Sequence, residues 1–369
     1  MHMKAPRIEA VSELRIVADD HTSVRLSDVI LLLTRLVELG SIASAAQALG
    51  LSYRHAWGML RTAEQRLGGP LLVKVRGQGS LLSPLGEKLL WAERVRIERL
   101  GPLAQSLGVE VTDEIQRLLA SARHDVRIHA SHGYAVAALV QALAEGGTSV
   151  EIRYRDSADA VASLSRGECD LAGFHLPIGP FRAVCAAVYR PWLDDKRHVL
   201  IHLARRKQGL FVPKGNPEHI GGLADLSREG LRFVNRQPGS GTRMLLDLML
   251  RDIGIDPTRI DGYASTELTH SAIAAFVASG KADVGFGVQP AAAYFGLDFV
   301  PIVDEDYYFA CERAALDVAP LLAIVDELRG DAFKGAVARL HGYDAARCGD
   351  CVPIQEGVGS QHSIRFPDY

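Results

Sequence analysis

The sequence predicts an α/β chain in two parts: a small helical module ending in a basic β-hairpin, then a larger body in which strands and helices alternate. Three observations carry this. Up to residue 86, apolar residues recur at helical spacing and are punctuated by Gly40 and Gly50. From about residue 124, short apolar runs alternate with helical stretches, the pattern of a mostly parallel sheet. Charge divides along the same line. Residues 1–86 hold ten Lys/Arg against seven Asp/Glu, and the remainder holds 31 against 37.

The totals bound the function. A chain of 369 residues suggests two or three domains at ~100–200 residues each. Hydrophobic content of 48% and charged content of 23% are those of an ordinary globular protein. A net charge of −3 argues neither for a nucleic-acid coat nor for a membrane-surface protein. The N-terminal stretch scatters its charges and has no signal-peptide core. No apolar run approaches the ~18 residues of a membrane span. Five Cys, an odd number, fit reduced thiols. The expected location is cytoplasmic.

Residues 1–86 contain the first domain. "SDVILLLTRLVELGS" starts with Ser27 as N-cap, presents Ile30, Leu31, Leu33, Leu36 and Leu39 as an apolar face, and stops at Gly40. "SIASAAQALG" is a small-residue helix packed through Ala45, Ala46 and Leu49. Gly50-Leu51-Ser52 makes a tight turn, and Ser52 caps the next helix. There Ala56, Leu60, Ala63 and Leu67 form one stripe, which is core, and Tyr53, Arg54, Trp57 and Arg61 lie opposite. Such a pair of helices is a helix-turn-helix, whose second helix enters the DNA major groove. Arg54 and Arg61 suit guanine, and Ser52 at the helix start suits a phosphate. Trp57 either packs beneath the following hairpin or touches DNA. That hairpin, "KVRGQGS", carries Lys74 and Arg76 near its tip, as a phosphate-touching wing requires. The alternative is an αα-hairpin used for protein contacts; the stop signals, the turn and the basic hairpin together favour DNA.

Residues 84–122 follow as an amphipathic linker helix with Leu85, Leu89, Ala92 and Leu100 apolar. It either pairs with its twin in a homodimer or higher homo-oligomer, or packs on its own domain. Two-fold DNA sites favour the dimer.

In the body, polar residues cluster where strands end, the place where open α/β sheets bind ligands. They are Ser131 and His132, Asp156 and Ser157, His175, Asn235 and Arg236, then Thr269 and His270. The stretch "NRQPGSGTR" (residues 235–243) lacks the Lys of a phosphate loop, the third Gly of a dinucleotide fingerprint and the Gly of a serine elbow. Ser240, Gly241 and Thr242 therefore cap a helix whose first amides either face an anion or bind only the Ser side chain. Arg243 or Arg236 lends charge, or these arginines form an internal salt bridge. His132, His175 and His270 have three readings: a metal site, protonated anion ligands or loop supports. None has a carboxylate or Cys at ligand spacing, so no metal is assigned. "CGDC", Cys348 to Cys351, is half a zinc site without a second half. No nucleophile is paired with a base, so no catalytic residues are assigned and no enzyme is expected.

The stretch "GSIASAAQALGLSYRHAWGMLRTAEQRLGGPLLVKVRGQGSLLSPLG" closely resembles the DNA-binding domain of ModE-type regulators and, more distantly, LysR-type regulators. "GECDLAGFHLP", "RRKQGLFVPKGNP", "LRFVNRQPGSGTR" and "GYASTELTHSAIAAFVASGKADVGFG" resemble cytoplasmic relatives of molybdate-binding proteins. The two resemblances imply a winged helix-turn-helix plus a two-lobed type II periplasmic-binding-protein-like domain. The latter would span 123–355, with its second lobe at about 206–300 and a tail at 356–369. They imply a one-component transcription regulator whose partners are a double-stranded DNA operator and a small oxyanion effector. Molybdate or tungstate is the first candidate, and formate or another small carboxylate the second; the alternative to a regulator is an oxyanion carrier, against which the basic wing and recognition helix speak. No cofactor and no membrane partner are implied. One departure stands out: that family often has Gly-Ser after the second strand, where this chain has Asp156-Ser157. An acid beside a bound anion weakens binding unless it points away.

Overall fold

A computed structural model describes residues 8–17, 23–75, 79–119 and 126–359. The chain divides into two compact units, residues 9–105 and a body built on residues 106–359.

The first unit opens with a short antiparallel pair, β1 (Arg15–Val17) and β2 (Ser23–Arg25). Helix α1 (Ser27–Leu39) follows, but its cap position is Leu26, not Ser27. The Leu26 amide bonds the Leu14 carbonyl at 2.9 Å and its side chain is buried, so the chain is already fixed one residue earlier. The buried face is Val29, Ile30, Leu32, Leu33 and Leu36, while Leu31 and Leu39 are exposed. Helix α1 is apolar nearly all round, so spacing alone could not choose the face. Gly40 ends it in the left-handed region, at φ 76°.

Helix α2 (Ile42–Ala48) buries Ala45 and Ala46. Helix α3 (Tyr53–Leu67) is capped by Ser52, whose hydroxyl accepts from the His55 amide at 3.2 Å. Ala56, Leu60 and Ala63 are fully buried, and the small alanines let the helices approach closely. Strands β3 (Leu72–Val75) and β4 (Gly79–Leu82) pair as an antiparallel hairpin. Arg76 and the side chain of Lys74 lie outside the described residues. Helix α4 (Pro84–Leu119) then runs for 36 residues. Leu89 near its start is buried in the core of the first unit, so this part packs on its own domain.

The body alternates strands and helices: β5 (Val126–Ala130), α5 (Tyr134–Glu145), β6 (Val150–Tyr154), α6 (Ser157–Ser165), β7 (Leu171–Pro177) and α7 (Arg182–Tyr189). Next come β8 (His198–Val212), β9 (Phe233–Arg236), α8 (Gly241–Asp252), β10 (Thr266–Glu267), α9 (His270–Ala278), β11 (Val284–Val288) and α10 (Gln289–Tyr294). The chain returns through β12 (Asp298–Glu312), α11 (Ala319–Arg329), α12 (Asp331–Ala338), β13 (Tyr343–Asp344), β14 (Cys351–Pro353) and α13 (Ile354–Val358). Val358 is buried, so the body continues past residue 356, where the tail was expected to begin.

The sheet order is β10-β9-β11-β8-β12-β7-β5-β6. Strands β6, β5 and β7 run parallel in one half, and β10, β9 and β11 in the other. Strands β8 and β12, 15 residues each, pair antiparallel along their whole length and join the halves. Strand β7 pairs β12 over Glu305–Ala310, and β11 pairs the other end of the long pair, through Gln208–Phe211 of β8. The long pair thus passes from one lobe to the other near Arg206 and Glu305. Each half carries its own helices, which orients their N-termini toward the space between.

Candidate functional site

Four helices of the body begin at strand ends facing that space, and each leaves first-turn amides without an intrahelical acceptor. At α5 the cap is Gly133, and at α6 it is Asp156; neither supplies a side-chain bond. At α8 Ser240 caps only the Arg243 amide, and at α9 Thr269 caps only the Ala272 amide. The amides of Gly241, Thr242, His270 and Ser271 therefore remain available by position. Ser131, His132, Asp156, Ser157, His175, Arg236, Ser240, Gly241, Thr242 and His270 line one enclosed cavity of about 20 Å³. Cavities for drug-sized ligands measure about 300–1,000 Å³. This one suits an occupant of a few heavy atoms.

Several polar atoms on the wall are buried. The Nδ1 atoms of His175 and His270 and Nε of Arg236 have no hydrogen bond among the described residues, and the hydroxyls of Ser131 and Ser157 lie beside the Tyr307 and Tyr189 side chains without a hydrogen bond of good geometry. A buried unpaired polar group costs about 1–3 kcal/mol, and these groups converge on one cavity. Burial and then Arg206 pull the Arg236 guanidinium down to about 10, which still leaves it a cation at neutral pH. Burial and then Arg236 lower the His132 imidazole to about 4. Burial also holds His175 and His270 well below the ordinary histidine value, with Arg206 and Arg236 acting in the same direction. All three rings are neutral at pH 7, so they face the cavity as imidazoles rather than as cations.

Close packing fixes these rings. A side chain added at Gly241 would start 3.2 Å from His175 Cδ2, and one at Gly287 would start 2.8 Å from His270 Nδ1. His175 also lies against Tyr307, and His132 against Tyr154, with ring centres 5.2 and 5.0 Å apart. The Tyr134 hydroxyl bonds the Ser271 hydroxyl, tying the start of α5 to the start of α9 across the space between the lobes.

Three residues expected at the ligand are held otherwise. The Ser240 hydroxyl donates to the Gln237 carbonyl at 3.0 Å and accepts from the Arg243 amide at 3.2 Å, so it is spent on the turn although the residue lines the cavity. Thr269 is not on the cavity wall; its hydroxyl accepts from the Ala272 amide at 3.0 Å. Arg243 is the internal salt bridge of the two alternatives. It pairs with Asp247 at 2.8 Å and its guanidinium lies 3.9 Å from the Tyr263 ring centre, away from the cavity. Arg236, by contrast, lines it.

Asp156, read from the sequence both as a strand-end residue and as a departure from the family pattern, lines the cavity. One feature of the site went unread in the sequence. Arg206 and Glu305, cross-strand partners on β8 and β12, form an ion pair with both side chains about 2% exposed. Gln208 donates to the second Glu305 oxygen at 2.5 Å. The available signal was "RRKQ" facing "DEDYY", two clusters of opposite charge inside otherwise apolar strands. Cys348 is buried with its thiol donating to the Leu203 carbonyl at 2.8 Å, Cys351 is exposed, and both are free.

In the first unit, Ser52, Tyr53, Arg54 and Arg61 are exposed along α3. Trp57 is half-buried against the core, with Tyr53 edge-on at 6.3 Å, which favours packing. Arg25, not singled out from the sequence, borders the same groove as Ser52, Arg54 and His55. On α4, Ile97, Leu100, Leu103, Leu107, Val111 and Ile115 are exposed. At about 100° per residue they fall within roughly a third of the helix circumference.

Residues 140–329 match the family described as PBP superfamily domain, and residues 28–87 match the bacterial regulatory helix-turn-helix proteins of the lysR family. The second is the more distant of the two resemblances read from the front of the sequence. Among curated relatives, the uncharacterized protein YvgK of Bacillus subtilis (strain 168) is 34% identical over 200 residues, covering 54% of this chain and 64% of that protein. The HTH-type transcriptional regulator CbbR of Sinorhizobium medicae (strain WSM419) is 28% identical over 219 residues, covering 58% of this chain and 62% of that protein. This chain thus spans less than two thirds of either relative's length. Among solved structures, a hydrogen peroxide-bound mutant of Corynebacterium glutamicum OxyR is 16% identical with a TM-score of 0.42, covering 84% of this chain and 92% of that one.

Proposed function

The chain belongs to the PBP superfamily, whose domain it carries behind a lysR-family helix-turn-helix, and from that premise we propose that it is a one-component transcription regulator whose body senses a small oxyanion. The observation that carries the oxyanion is the cavity: four helix starts meet there, with two buried serine hydroxyls, Arg236 and neutral imidazoles. Its size suits a small effector. Molybdate and tungstate are the first ligands to test because of the resemblance of the body, and formate comes next. DNA is read by α3 through Arg54 and Arg61, with Ser52 on a phosphate and the hairpin residues Lys74 and Arg76 as backbone contacts. A homodimer forms through the exposed apolar face of α4, since such a face is stable in water only when covered. The effector acts by binding one arrangement of the lobes better than another.

The test uses the full-length chain. Calorimetric titration with molybdate, tungstate, sulfate, formate and inorganic phosphate should give saturable binding for at least one. On an operator selected from a random DNA pool, Arg54→Ala and Arg61→Ala should each weaken specific binding by ~1–3 kcal/mol. Absence of binding by every oxyanion tried, inorganic phosphate included, overturns the sensing role. Unchanged operator binding in both variants overturns the DNA interface.

A further inference from the structure

We propose that Arg25, on the ribbon ahead of the helix-turn-helix, is a further DNA contact: its guanidinium grips the backbone phosphate that flanks the bases met by α3. This rests on the DNA reading above and extends its footprint onto the β1–β2 ribbon. That ribbon lies ahead of residues 28–87, which match the lysR-family helix-turn-helix.

The ribbon is tied to its domain through one face. In both strands the central residue is half-buried and its neighbours are exposed, as alternation along a strand requires. Ile16 and Leu14 pack on the core of the first unit, and the Leu26 amide bonds the Leu14 carbonyl at 2.9 Å. Arg25 is thereby fixed in place one residue before the cap of α1, with its side chain 68% exposed. The register sets it directly opposite Arg15. Like charges in that position destabilise a strand pair. Glu13 bonds Arg15 and stands 3.6 Å from Arg25. One carboxylate against two guanidiniums leaves a surplus positive charge on the ribbon. An exposed pair contributes little to stability, so folding gains little from having Arg25 here.

The surplus charge faces the reading helix. Arg25, Ser52, Arg54 and His55 border one open groove between β2, the start of α1 and α3. Ser52 caps only the His55 amide, so the Tyr53 and Arg54 amides have no acceptor within their own helix. Where such a helix enters the major groove, its first turn meets the phosphate backbone and its exposed side chains meet base edges. Arg54 stands on the helix itself and suits a base. Arg25 comes from a different element, on the rim of the same groove, and so meets the backbone. Asp28, in the first turn of α1, borders the groove as well. Two guanidiniums against one carboxylate leave a single surplus cation, which matches one phosphate. The planar donor fork of an arginine takes two phosphate oxygens at once.

Titration of the full-length chain with the selected operator and with an unrelated duplex, over a range of salt concentrations, tests the proposal. Arg25→Ala should weaken both complexes alike, by about five- to tenfold at about 0.1 M salt. The slope of log affinity against log salt should become shallower by about one, the signature of one lost phosphate contact. Arg25→Lys keeps the charge and should keep the wild-type slope. Arg54→Ala should instead lose affinity for the operator more than for the unrelated duplex. Melting temperatures should match the wild type, since both side chains are exposed. Wild-type affinity and slope in Arg25→Ala, with operator binding weakened in Arg54→Ala, overturn the Arg25 contact and leave the DNA reading intact. A loss in Arg25→Ala confined to the operator overturns the phosphate assignment, and so does a slope in Arg25→Lys as shallow as in Arg25→Ala. A melting temperature that falls together with affinity in Arg25→Ala assigns the residue to the fold and overturns the contact. Absence of DNA binding by the wild type overturns the DNA reading itself, and this contact with it.

Discussion

Ser240 and Ser157 both stand at a helix start, but only the Ser240 hydroxyl is held by its own turn. The proton of Ser240 goes to Gln237 and its lone pair to Arg243, whereas Ser157 and Ser131 are buried on the cavity wall beside Tyr189 and Tyr307. Ser157→Ala and Ser131→Ala should each weaken oxyanion binding by about 1.5–3 kcal/mol, roughly ten- to a hundredfold, because the bond lost is to a charged acceptor. Ser240→Ala should instead lower stability by ~1 kcal/mol as a lost cap, with affinity held within about twofold. Melting temperature and calorimetric affinity, measured on the same three variants, separate the two roles; the reverse pattern would sink the assignment. A Ser before a helix is legible in sequence. Which of its bonds is already taken is not, because Gln237 reaches Ser240 through the geometry of one turn.

Helix α4 is buried near its start and exposes an apolar face further along. Leu89 is 8% exposed in the core of the first unit, while Leu107 is 53% exposed on the apolar face. On the sequence alone, Leu89 is a natural place for a charge meant to break a dimer. In the structure that charge would put a carboxylate in the domain core, so Leu89→Glu should unfold the first unit. Leu107→Glu should leave that unit folded, since exposed substitutions fall within about 0.5 kcal/mol, and convert the assembly to monomers in sedimentation. Oligomers that persist in Leu107→Glu refute the α4 interface. The sequence shows a long amphipathic helix, but apolar residues occupy more than one of its sides. Only the packing of α1, α3 and the β3–β4 hairpin shows which of them are already covered.

Among the described residues of the body, five histidines are buried enough to resist protonation. Burial lowers His129 and His132 to about 4, and it lowers His175, His198 and His270 as well. The unfolded chain takes up protons near the ordinary value of 6.5, while the folded body does not. Stability is therefore complete above about 6.5 and is lost as pH falls from there toward about 4. Thermal unfolding followed by circular dichroism should show a melting temperature that drops between pH 7 and pH 5. A flat profile over that window contradicts the neutral, buried rings. Asp306 works in the same direction only at much lower pH. Although burial opposes it, bonds from His202 and Arg205 hold its carboxyl far below the usual range.

The sequence by itself determined the order of parts: three helices and a hairpin, a long helix, then alternating strands and helices with polar residues at the strand ends. These follow from local periodicity and from turn residues such as Gly40 and Ser52, which act on neighbours a few positions away. Ser131, His132, Ser157, His175, Gly241, Thr242 and His270 were legible for the same reason, since strand ends in such a sheet point to one edge. Only the tertiary structure decided the rest. It set Arg236 on the cavity wall and turned Arg243 away to Asp247 and Tyr263. It placed Asp156 on that wall and paired Arg206 with Glu305 across strands whose partners lie 99 residues apart. Long-range pairing of this kind is set by the register of β8 against β12. That register depends on every side chain the two lobes bury, and no short stretch of sequence contains it.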